Sequence, residues 1–146
     1  MNTSQILNKC RQIDSFGGVF AADQLPQTLN KVPFSLIVNT HKSNMPGEHW
    51  VAIYINKNNF GEYFDSFGMA PYVDEIENFL HTVCKDGWTY NSTPIQGLSS
   101  IKCGQFCILF IWLRNLGFTM SQISNLFSKK DGATNDKIID EFYRFI

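Results

Sequence analysis

The chain has 146 residues, which at roughly 100–200 residues per domain predicts a single domain. Apolar residues make up 44% and aromatic residues 14%, with 13 Phe, so the chain can build a core and intrinsic disorder is excluded. Twelve Lys and Arg against 13 Asp and Glu leave a net charge of −1, which gives no long-range field to attract nucleic acid. No run of about 18 apolar residues occurs, so no transmembrane helix is expected; the longest, Cys107 to Leu113, is far too short.

The opening residues, MNTSQILNKC, lack the basic-then-apolar pattern of a secretory signal, and an intracellular protein is expected. In that setting Cys10, Cys84, Cys103 and Cys107 read as thiols rather than disulfide partners. Asn91-Ser92-Thr93 matches a glycosylation acceptor but carries little weight without a signal.

Asn2 to Arg11 reads as a short helix, with Ile6, Leu7 and Cys10 at helical spacing and Gly17-Gly18 breaking the chain after it. Val19 to Leu25 leads into Pro26, and Phe34 to Val38 reads as a buried strand. His49 to Asn56 and Phe60 to Phe67 form a hairpin through Lys57-Asn58-Asn59. Pro71 to Cys84 keeps a 3–4 apolar spacing and reads as a helix; Trp88 to Ile95 is short and extended. Gly104 to Leu116 is a helix apolar nearly all round, hence internal, with Gly117 at its end. Ser121 to Phe127 and Asn135 to Phe145 are terminal helices. Central strands with helices at both ends predict an α+β fold, a small mixed or antiparallel sheet flanked by helices.

A hairpin centred on Asn58 sets His49 opposite Asp65 or its neighbour, at about 5 Å between Cβ atoms. There a carboxylate can fix the imidazole tautomer and support its charged form. An ordinary cross-strand polar pair is the plainer reading of the same two residues. Cys103 lies just before the apolar helix, where free N–H groups and the helix dipole favour a thiolate, and Gly104 after it leaves room for a substrate backbone. Cys107, one turn into that helix, fits a small buried hydrophobe. Gln96 can aim its amide at a developing oxyanion, with the Cys103 N–H as second donor. The scattered His and Cys residues offer no second tight pair for a zinc site, and Lys129-Lys130 is too short for a nucleic-acid footprint.

The order of these residues is more specific than any one of them. Gly47-Glu48-His49-Trp50-Val51-Ala52-Ile53-Tyr54 is followed by Tyr63-Phe64-Asp65-Ser66-Phe67-Gly68, Ile95-Gln96-Gly97 and Cys103-Gly104-Gln105-Phe106-Cys107. This resembles the adenovirus-type endopeptidases (adenain family) and, more distantly, the SUMO and ubiquitin-like protein proteases, over about residues 17 to 116 including Gly17-Gly18-Val19-Phe20. The resemblance implies a papain-like cysteine protease fold with the nucleophile at the N-terminus of a central buried helix. It implies Cys103 as nucleophile, His49 as general base and acid, Asp65 as its orienting partner and Gln96 as oxyanion donor, with Trp50, Gly104 and Gly47 in support. Asp65 departs from the adenovirus enzymes, which carry Glu in a Phe-Glu-Pro-Phe-Gly context, but Asp is normal in the cellular branch.

The activity so implied is endopeptidase cleavage of viral capsid or core precursors at glycine-containing sites, by an enzyme of the infected cell's nucleus or cytoplasm that is packaged in virions. A deubiquitinase- or deSUMOylase-like isopeptidase and a non-catalytic capsid-associated module are the alternatives. The adenovirus enzymes are activated by a viral peptide, held partly by a disulfide, and by DNA, so the resemblance implies such activators as candidates. Neither Cys84 nor Cys10 sits in a matching context and the net charge offers DNA no footprint, so no cofactor, metal or membrane partner is expected.

Overall fold

The computed structural model describes residues 1–146. Helix α1 (Thr3–Cys10) opens with a capping box, in which Asn2 and Gln5 each bond the other's backbone N–H. Strand β1 (Phe16–Phe20) leads through a 3-10 turn (Ala22–Gln24) to β2 (Phe34–Asn39), β3 (Trp50–Ile55) and β4 (Gly61–Phe64). Helix α2 (Asp74–Val83), strand β5 (Trp88–Tyr90) and helices α3 (Cys103–Asn115), α4 (Met120–Ser124) and α5 (Gly132–Phe145) complete the chain.

The five strands lie in chain order in one mixed sheet. β1 runs parallel to β2 and β5 parallel to β4, while β2, β3 and β4 are mutually antiparallel. The α+β expectation therefore holds, with a mixed sheet. Side chains alternate across it. Leu36, Val38, Val51, Ile53 and Ile55 pack toward α2, whereas Ile37, Ala52 and Tyr54 pack toward α1, α3 and α5. Burial on both faces explains why these strands read as unbroken apolar runs. α3 is internal as expected: seven of its residues, from Gly104 through Ile111, are buried. Its far end is held by Arg114, whose Nε donates to Glu62 Oε1 of β4 at 2.7 Å.

Strand β1 is absent from the sequence expectation, which took Gly17-Gly18 as a break. A Cβ at Gly17 would stand 2.1 Å from Phe34 Cζ, so glycine lets the Phe34 ring lie across the edge strand. The hairpin strands are shorter than expected, and their register, Ala52 opposite Phe64 and Ile55 opposite Gly61, if continued sets His49 opposite Phe67 rather than Asp65 or its neighbour; His49 and Asp65 meet just beyond the strand ends. α5 starts three residues before the expected Asn135, because Asp131 caps it by accepting the Thr134 N–H. No helix is long and apolar enough to cross a membrane.

Candidate active site

α3 begins at Cys103 itself, one residue before the expected start, and no side chain caps it. Its first N–H groups are therefore free for a ligand or an anion. The Trp50 and Gly104 backbone N–H groups and the His49 imidazole favour the Cys103 thiolate. Burial opposes them as the largest single influence, yet together they hold the thiol below its ordinary pKa.

His49 sits just before β3 and is 8% exposed. Its Nε2 lies 2.8 Å from Asp65 Oδ1 and its ring stacks on Phe67 with centroids 5.1 Å apart. Burial disfavours the imidazolium, but the bonds and charges of Asp65 and Cys103 outweigh it and push the pKa to about 9. The imidazole thus favours the thiolate and the thiolate the imidazolium, which is the electrostatic condition that an ion pair of the two would need. Cys107, by contrast, is fully buried, with its thiol pushed well up and its Sγ donating to the Trp50 carbonyl at 3.3 Å. Cys10 and Cys84 are buried too, with pKa values of about 12 and about 11.

Asp65 is fully buried beyond the end of β4. Its Oδ1 also accepts the Phe67 N–H at 2.8 Å. Asn91 grips its main chain from both sides, accepting the Asp65 N–H at 2.8 Å and donating to the Asp65 carbonyl at 2.6 Å. The acceptor motif at Asn91, given little weight from sequence, is buried here: the side chain is committed to Asp65 and the residue is 6% exposed. The next residue, Ser66, holds Gln96. Its hydroxyl donates to Gln96 Oε1, and its carbonyl accepts the Ile95 and Gln96 N–H groups at 2.9 and 3.0 Å. That fixes the amide orientation, leaving Nε2 to donate to the Ser100 carbonyl at 2.8 Å and to Ser100 Oγ at 3.2 Å. Adjacent residues thus orient both the imidazole and the amide, and neither Ser66 nor Asn91 was assigned this role from sequence.

Cys103, His49, Gln96, Trp50 and Gly47 line one cleft of about 730 Å³; Asp65 stands behind His49. Trp50 and Gly47 line the cleft with Cys103 and His49, and Gly104 follows Cys103 in α3. Trp50 contributes its main-chain N–H to Cys103, while its indole N–H binds the Met1 carbonyl at 3.1 Å. The space over Gly104 is taken by the chain itself, not left for substrate: a Cβ there would stand 2.8 Å from Met1 Sδ. Gly47 adopts φ +92°, and a Cβ on it would lie 3.3 Å from Asn39 Nδ2. Asn39 closes the loop leading to His49 by accepting the His41 and Glu48 N–H groups at 2.9 and 3.2 Å. No group of three or more His, Cys, Asp or Glu is placed to hold a metal ion.

No family model and no curated protein matches the chain. Among solved structures it is similar to the ASFV pS273R protease, with a TM-score of 0.51 and 24% identity over 62% of this chain and 37% of that one. It thus spans little more than a third of that protein's length. It is also similar to the central domain of the uncharacterized Lpg1148 protein from Legionella pneumophila, with a TM-score of 0.55 and 14% identity over 99% of this chain and 96% of that one. At these identities the likeness establishes the fold: a mixed-sheet α+β unit shared with a viral protease.

Proposed function

We propose that this chain is an adenain-like cysteine endopeptidase, of virus or virus-derived element origin, that cleaves structural precursor proteins at glycine-containing sites. The observation that carries the reading is Cys103 at the uncapped start of a buried helix, facing an imidazole whose far nitrogen is bonded to a fully buried Asp65. The Cys103 thiolate attacks the scissile carbonyl, forming an S–C bond as the carbonyl π pair moves to oxygen. The Cys103 N–H and the Gln96 amide receive that oxyanion, the Gln96 contact to Ser100 Oγ being the longer one and the one that yields. Collapse breaks the C–N bond while the His49 imidazolium gives its proton to the leaving amine. Water, deprotonated by His49, then hydrolyses the thioester and regenerates the thiolate.

The test is cleavage of short glycine-containing peptides, with a ubiquitin- and a SUMO-fluorophore conjugate as separate arms. Turnover of the peptides, lost in Cys103→Ala, is the expected result; activity retained in Cys103→Ala refutes the assignment. Turnover of the conjugates alone would make the chain an isopeptidase instead.

A further inference from the structure

The segment joining Gln96 to Cys103 carries both proposed oxyanion donors; it is braced internally, by Gln96 Nε2 on Ser100 and by the Ser100 N–H on the Gly97 carbonyl at 3.0 Å, but buries few of its own side chains. Leu98 and Ile101, its large apolar residues, are 97% and 86% exposed. Ser66 ties down its entrance through backbone bonds to Ile95 and Gln96. Further contacts from outside the segment come from α5, an element outside residues 17 to 116 that carry the sequence resemblance.

Three contacts run along one side of that helix. Asn135, fully buried, donates from Nδ2 to the Ile95 carbonyl at 2.8 Å; its orientation is fixed because Oδ1 accepts the Ser128 N–H at 2.9 Å. Gly132 lies backbone to backbone against the segment, so that a Cβ there would stand 2.5 Å from Gly97 Cα and 3.1 Å from the Gln96 carbonyl carbon. Asp140 pairs through Oδ2 with Lys102 Nζ, on the residue immediately before Cys103. Gly132, Asp136 and Asp140 are spaced four apart, and Gly97 packs beside the Asp136 carboxylate, so one helical row follows the segment from its first residue to its last. Ile139, fully buried on the same helix, fixes the row to the core.

We infer that α5 is a positioning element of the oxyanion hole: with Ser66 orienting the Gln96 amide, Gly132, Asn135 and Asp140 set where the backbone that carries Gln96 and leads to the Cys103 N–H stands, without touching substrate. This rests on the protease reading above. It differs from a general stabilising role in a measurable way. The thiolate depends on His49, Trp50 and Gly104, none of which α5 holds in these contacts. Displacing α5 therefore weakens oxyanion binding and spares thiolate reactivity.

Two reagents separate these quantities. Iodoacetamide alkylates the thiolate and forms no oxyanion. A peptide ending in glycinal accepts the Cys103 sulfur at its aldehyde carbon, and the resulting oxyanion, held by the donors, takes the proton from His49 to give a hemithioacetal. A misplacement of about 1 Å in such geometry costs up to 10²-fold, so Gly132→Ala is expected to weaken glycinal binding by about tenfold or more. Asp140→Asn, at a half-exposed position that leaves the fold intact, is expected to weaken it about threefold, and Asp140→Glu to restore it. In all three the alkylation rate near pH 6 stays within about twofold of wild type. Glycinal affinity unchanged in both Gly132→Ala and Asp140→Asn, or alkylation falling in proportion to it, overturns the inference. A wild-type protein that neither alkylates quickly nor binds the glycinal refutes the protease reading itself, and the inference with it.

Discussion

Asn91→Ala tests how the candidate acid partner is held. The substitution removes two hydrogen bonds, of 2.8 and 2.6 Å, and leaves the N–H of the fully buried Asp65 without a partner, while its carbonyl keeps the Gly68 N–H at 2.8 Å. Each buried group so orphaned costs about 1–3 kcal/mol. The carbonyl loses only its second bond, so the expected loss is about 2 kcal/mol. In a domain of this size each kcal/mol lowers Tm by about 2–4 °C, which predicts a fall of about 4–8 °C by circular dichroism. With Asp65 loosened, the imidazole loses its orientation and Cys103 alkylation near pH 6 slows as well. A Tm within about 2 °C of wild type together with unchanged alkylation would refute this account of Asn91.

Asp65→Asn removes the carboxylate that helps carry the His49 pKa up to about 9, leaving burial, which lowers it, less opposed. The imidazole then loses its proton at lower pH, the thiolate loses its counter-charge, and alkylation of Cys103 near pH 6 should fall by about tenfold or more. Gln96→Ala should reduce peptide turnover by about 10²–10³, as loss of an oxyanion donor does, with alkylation within about twofold of wild type; equal losses in both would place Gln96 in the support of the thiolate instead. Cys107→Ala empties a small, fully buried volume and ends the bond to the Trp50 carbonyl, so it should cost about 1–2 kcal/mol in urea unfolding while Cys103 still labels. Loss of Cys103 labelling in that variant would mean that Cys107 belongs to the reactive pair.

Local signals carried the proximity of His49 and Asp65: two aromatic-rich strands and a three-residue link fix a register to within a residue or two, and although the observed register points His49 at Phe67, two residues on, the two side chains still meet. Cys103 at a helix start was legible because the apolar run after it has no break before Gly117. The edge strand β1 was not, since the glycines that break a helix also let the Phe34 ring lie over a strand, and that ring is distant in sequence. The polar partners behind the site were equally hidden. Ser66 with Gln96, Asn91 with Asp65, and Asn135 with Ile95 are separated by 30, 26 and 40 residues, and each is a common polar type whose purpose exists only once the chain has folded. Gly104 misled for a related reason: the sequence marks a need for space, and only the fold reveals that Met1 fills it.

The most direct test of the central claim is site-resolved alkylation of the folded protein with limiting iodoacetamide near pH 6, located by peptide mass spectrometry in wild type and His49→Ala. At that pH ordinary thiols, with pKa near about 8.5, scarcely react. Fast labelling confined to Cys103 and abolished in His49→Ala is the predicted result, because burial raises the thiol pKa of Cys10, Cys84 and Cys107 while the His49 pair lowers that of Cys103. Equal, slow labelling of all four cysteines, or labelling of Cys103 that survives His49→Ala undiminished, would contradict it.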